Sequence, residues 1–167
     1  MGLVSWIIRS LRIPGTWMDS SDCVAHALAE AAIRTGDRRS ASSLDLLAAV
    51  LQIQDAGLRR CLAHLGCDPD VVLEQALASL KSGYCTDRSC LAVARDAYRV
   101  VPTTAIHLVT SDGCVINRKQ TLHSCHLLAG FSRQRRSDAS LLLSRLGFER
   151  ARLGDIAAEW LAFQDAS

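Results

Sequence analysis

Apolar residues recur along most of this chain at spacings of three and four, the period of a helix that buries one face. Val24, Leu28 and Ala31 mark such a stripe over Asp22 to Thr35, preceded by cap-forming residues from Asp19 and closed by Gly36. Ser42, with Asp45 three residues on, reads as a capping box that opens a helix over 43–54. There Leu44, Leu46, Leu47, Val50, Leu51 and Ile53 leave little polar face, which predicts a central, buried element. After Gly57, residues Leu58, Cys61, Leu62 and Leu65 predict a helix that ends at Gly66. Asp68-Pro69 then starts a fourth helix, through about Leu80.

The pattern returns 81 residues later. Leu46-Leu47-Ala48 falls on Leu127-Leu128-Ala129, and Leu62, Leu65 and Gly66 fall on Leu143, Leu146 and Gly147. Repetition at a fixed offset marks a duplicated structural unit. The second copy predicts helices from Thr86 or Asp87 to about Arg99, over 121–133 capped by Thr121, over 138–146 capped by Ser137, and over 149–163. Leu91-Ala92 matches Leu28-Ala29 at an offset of only 63, so the second unit carries 18 extra residues between its first two helices. In that stretch AIHLVT and CVIN flank Ser-Asp-Gly, which predicts a small β-hairpin over 103–118.

Composition narrows the function classes. A chain of 167 residues holds one ordinary domain. A net charge of +2, with basic residues scattered through both halves, predicts no nucleic-acid partner. Seven cysteines, several in apolar helical phase, fit reduced thiols in the cytoplasm or another reducing compartment such as the plastid stroma better than a disulfide framework. Residues 1–18 read as an N-terminal extension. Its 3–13 stretch, LVSWIIRSLRI, is amphipathic and too short to span a membrane. It either packs on the domain's outside or anchors a partner or a membrane surface, with Trp6 and the nearby Trp17 as the anchoring side chains.

Two tandem four-helix units, each with an Ala-rich helix, a Leu-Leu-Ala helix, a short amphipathic helix and a Leu-Gly-hydrophobic-acidic step, resemble the double repeat of the Clp N-terminal domain. The residues that carry the likeness are Gly36, Leu46-Leu47-Ala48 and Leu65-Gly66-Cys67-Asp68, then Leu127-Leu128-Ala129 and Leu146-Gly147-Phe148-Glu149. The resemblance runs over about residues 20–163. It implies an all-α domain at 19–167, with repeat one at about 19–80 and repeat two at about 86–163, related by a pseudo-twofold axis. It also implies a non-catalytic module of the Clp protease system, either a substrate adaptor or an accessory subunit. Bacterial members commonly carry Thr-Glu-His before each Leu-Leu helix and use that glutamate in recognising phosphoarginine. Ser43 and Ser124 stand there in this chain, so phosphoarginine reading by that route is not expected. No G-x-x-x-x-G-K-[ST] occurs, so the chain is expected to work without its own ATPase loop.

The candidate partner-binding residues are Ser43 and Ser124 by position in the repeat, the hairpin residues His107, Val109, Cys114 and Ile116, and the arginines of the 133–136 loop, Arg133, Arg135 and Arg136. The hairpin is a long insertion whose edge can accept an extended peptide. The arginine forks suit acidic peptide. No acid, base and nucleophile set suggests an enzyme, and no cofactor is expected. A reading from a different class is a metal or thiol sensor built on His123, His126, Cys125 and Cys114. Cys125 and His126 are adjacent on a helix and diverge, which makes them a poor chelating pair.

Overall fold

The computed structural model describes residues 22–36, 41–53, 56–83, 87–100, 103–109, 115–119, 122–153 and 155–156. The extension at 1–18 lies outside them, as do Thr86, Thr121, Cys114 and residues 157–167. The described part is mostly helical. In chain order come α1 (Asp22–Thr35), α2 (Ser43–Gln52), α3 (Ala56–His64), α4 (Pro69–Lys81) and α5 (Cys90–Val100). Strands β1 (Thr103–Val109) and β2 (Val115–Lys119) follow, then α6 (His126–Arg133) and α7 (Asp138–Arg145). Residues 150–153 and 155–156 are helical again. The strands pair antiparallel, Thr103 with Lys119 and Val109 with Val115, with a shift of register between Thr104 and Leu108. No helix among the described residues is long and apolar enough to cross a membrane.

Local chemistry fixes the ends of these elements. Ser42 and Asp45 form the predicted capping box on α2, and Asp68 caps α4 with Pro69 in its first turn. Helices α3 and α7 end alike. The Cys67 amide reaches the Leu62 carbonyl at 3.1 Å and the Gly66 amide reaches Ala63 at 2.9 Å. Phe148 to Leu143 and Gly147 to Ser144 repeat the pair, both at 3.1 Å. This is the Schellman closure, which needs a residue at positive φ, and Gly66 (82°) and Gly147 (92°) provide it.

Two expected starts are corrected. The helix predicted over 121–133 begins at His126, because the amides of His126, Leu127 and Leu128 bond three residues back, to His123, Ser124 and Cys125, in a tight turn. The helix expected to start from Thr86 or Asp87 begins at Cys90, where the Val93 amide bonds the Ser89 carbonyl at 2.8 Å. The carboxylate of Asp87 is engaged elsewhere.

Helix α2 is the centre of the core: every residue from Ser43 to Leu51 is buried. It packs on α1 and α4 and also touches α5 and α7. Leu58, Cys61 and Leu62 on α3 are buried, as are Ala139, Leu142 and Leu143 on α7, so the stripes read from the sequence face inward in both. Helices α5 and α6 approach each other closely at Gly130. A Cβ placed on Gly130 would come within 2.3 Å of the Val93 carbonyl oxygen and 3.1 Å of the Ala97 Cβ. Only glycine permits this approach. Gly130→Ala is therefore expected to cost about 2 to 3 kcal/mol of stability by forcing the helices apart, as measured by urea unfolding.

Candidate functional site

Two hydrogen-bond clusters join residues far apart in sequence. In the first, the Asp87 carboxylate accepts from the Ser43 hydroxyl at 2.5 Å, the Ser43 amide at 2.8 Å, the Asp138 amide at 2.5 Å and the Ser89 amide at 3.2 Å. Ser43 and Asp138 are the first residues of α2 and α7. One carboxylate thus serves the amide-rich starts of two helices, where negative charge is favoured and amides lack intrahelical partners. In return, the Asp87 amide donates to Asp138 Oδ2 at 3.0 Å. The Ser43 hydroxyl oxygen also accepts from the Ala139 amide at 2.9 Å.

In the second cluster, the Ser124 hydroxyl oxygen accepts from the Leu58 amide at 3.1 Å, in the first turn of α3. Ser43 and Ser124 are 81 residues apart, and so are Leu58 and Ala139. Both serines are buried, with 0% and 1% of their surface exposed. Each hydroxyl accepts from the first turn of a helix distant in sequence, α7 for Ser43 and α3 for Ser124.

The same offset relates two further bonds. The Ser42 amide donates to Asp45 Oδ2 at 3.0 Å, and the His126 Nδ1 lies 2.9 Å from the His123 amide nitrogen. The first belongs to the capping box of α2, whereas the second lies in the tight turn before α6, whose N-cap Cys125 makes no side-chain cap bond. Nδ1 also lies 3.2 Å from the His123 carbonyl oxygen, so the tautomer decides whether it accepts from the amide or donates to the carbonyl, and Nε2 is buried without a hydrogen-bond partner among the described residues. Burial pushes the His126 pKa down to about 4; the backbone bond at His123 opposes this and the His123 charge adds to it. No group of three His, Cys, Asp or Glu among the described residues can hold a metal ion.

Two of the described thiols are poor nucleophiles. Burial, then the charges of Asp45 and Asp87, pushes Cys90 up to about 12. Burial and the neighbouring Asp68 raise Cys67. Thiols held protonated are unreactive.

The accessible features are a groove and a loop. The groove encloses about 570 Å³ and is lined by Leu44 of α2, Ser79 and Ser82 at the end of α4, and Asp138, Leu141, Ser144 and Arg145 along α7. Leu141, 44% exposed, points apolar surface into it. Arg133, Arg135 and Arg136 are exposed on the turn between α6 and α7. Backbone positions of His107 and Val109 lie on β1 and of Ile116 on β2, while Cys114 lies outside the described residues. The structure thus buries Ser43 and Ser124 and leaves the arginines on the surface.

Sequence reading missed the groove and the role of Asp87. Asp87 carried the signal of an ordinary helix cap, and its partners Ser43 and Asp138 lie 44 and 51 residues away. No family model, characterised protein or solved structure matches the chain.

Burial disfavours the Asp87 charge, but the bonds from Ser43, Asp138 and Ser89 outweigh it and lower the pKa below 3.8. A lowered carboxylate pKa adds stability above the unfolded-state value and loses it as pH falls through the folded-state one. Asp87→Asn is expected to cost about 1 to 2 kcal/mol near neutral pH. In thermal melts, that difference should shrink as the pH drops below 3.8, where the wild type protonates too. A lowered histidine pKa likewise removes stability as pH falls, here from 6.5 toward about 4. His126→Asn keeps an acceptor for the His123 amide but cannot titrate. Its melting temperature is expected to lose the decline seen in the wild type over that window, a decline worth about 2 to 3 kcal/mol.

Proposed function

We propose that the chain is a non-catalytic protein-binding module of the Clp N-terminal type, which holds a peptide or a Clp protease component in the groove along α7. The observation that carries this reading is the groove itself. Leu44 and Leu141 share its lining with Asp138 and Arg145, a mixed surface that accepts an apolar side chain with a charged neighbour.

The duplicated architecture is supported by the offset of 81 residues that relates the capping bonds, the Schellman closures and the two serine contacts. Ser43 of the first half meets Ala139 of the second, and Ser124 of the second meets Leu58 of the first. A twofold axis relates contacts in this way, residue i to j and its copy back again. In this reading β1 and β2 form a hairpin insertion in the second repeat that offers an edge for strand addition. The role is that of substrate adaptor or accessory subunit. The module would be expected in the cytoplasm or another reducing compartment.

Sedimentation of the purified chain with a Clp unfoldase and with the Clp proteolytic core tests the reading. Association is expected, and Leu141→Asp should weaken it about tenfold without changing the melting temperature. Association with the core alone would favour the accessory role, and capture of unfolded peptide without the core the adaptor. Failure to bind either Clp component would remove the Clp assignment, while binding indifferent to Leu141→Asp would remove the groove.

A further inference from the structure

We propose that the turn between α6 and α7 is a preorganised receptor for carboxylates, which docks an acidic peptide segment on Arg133, Arg135 and Arg136. It goes beyond the groove along α7 and does not depend on the Clp reading.

Loop arginines are ordinarily mobile and solvated, but this turn is fixed from three sides. Its backbone closes twice. The Arg135 amide reaches the Arg133 carbonyl at 3.0 Å across Gln134, whose φ of −82° and ψ of 69° are those of an inverse γ-turn. The Ser137 amide then reaches the Gln134 carbonyl at 2.9 Å. From below, the Gln134 side-chain nitrogen donates to Asp96 Oδ2 at 2.6 Å. Asp96 is buried, and its other oxygen accepts from Arg99 at 2.9 Å. The close approach of α5 and α6 at Gly130 and Val93 sets this anchor, since Gln134 and Asp96 lie about one turn further along each chain. From outside, the Arg150 guanidinium donates to the Arg135 carbonyl at 3.2 Å, which brings a fourth cation to the turn.

All four arginines are exposed, and among the described residues no acid pairs with them. The repeat pattern does not call for Arg133, Arg135 and Arg136. At the offset of 81 the first half has Gln52-Ile53-Gln54-Asp55, which carries no cation. Guanidinium forks on a fixed backbone match carboxylates in pairs, and a turn ordered beforehand loses little entropy on binding. A nucleic acid fits less well. The patch is one turn wide, residues 22–83 carry eight Asp and Glu against six Lys and Arg, and no exposed large apolar side chain among the described residues is aromatic, so bases find nothing to stack on.

The test is fluorescence anisotropy of labelled octaglutamate against the full chain, with a single-stranded RNA oligonucleotide and phosphatidylserine vesicles as parallel probes. Octaglutamate is expected to bind more tightly than either. Replacing Arg133, Arg135 and Arg136 together by Ala should weaken it about tenfold or more. Replacing the exposed Arg60, Arg88 and Arg95 should change it by less than about twofold, since they lie off the turn. Should the alanine triple fail to melt cooperatively, the lysine triple serves instead. It keeps the charge but loses the fork, and about a threefold loss is expected. Gln134→Ala keeps every cation and releases the anchor, so a loss of about threefold is expected there as well. No octaglutamate binding, an equal loss in both alanine triples, no loss in the lysine triple or in Gln134→Ala, or tighter binding of RNA or vesicles would each overturn the proposal.

Discussion

Much of this fold depends on where one carboxylate finds its partners. Asp87 lies in the connection between the halves and accepts from the first residues of α2 and α7. Helix starts leave amides without partners and carry partial positive charge, so a single anion satisfies two such starts and attracts both dipoles. The central helix and the helix that lines the groove are thereby pinned to one point. Ser43 extends the pin by taking the Ala139 amide. Burial opposes this arrangement by disfavouring the charge, and the number of donors decides the balance.

Helix α7 links that constraint to the surfaces proposed to bind. Its first residue is held by Asp87, its length from Asp138 to Arg145 forms one wall of the groove, and the arginine turn runs directly into it. A short helix of this kind owes most of its stability to tertiary contact rather than to its own propensity. Here the contact comes from Ala139, Leu142 and Leu143 in the core and from the shared cap at the start. The arginine turn is braced separately, through Gln134 to Asp96, so the two surfaces are held by different means.

Much of the helical layout was legible in the sequence because its signals are local. The stripe at Val24, Leu28 and Ala31 placed α1, the Ser42 and Asp45 pair placed α2, and Gly66 and Gly147 placed the ends of α3 and α7. The start of α6 was misplaced because His123 to Cys125 form a tight turn, and because its N-cap, Cys125, makes no side-chain cap bond of the kind a sequence signals. The buried place of Ser43 and Ser124 was hidden for another reason. A serine at a helix start looks alike whether its hydroxyl meets water or a second helix. The groove was hidden too, since Leu44, Ser82 and Arg145 converge only after α2, α4 and α7 have packed.

The two serine contacts have one last consequence. Each serine completes the first turn of a helix far away in the chain. Loss of either hydroxyl would leave a buried amide on that distant helix without its acceptor, so a change at one helix start is felt at another.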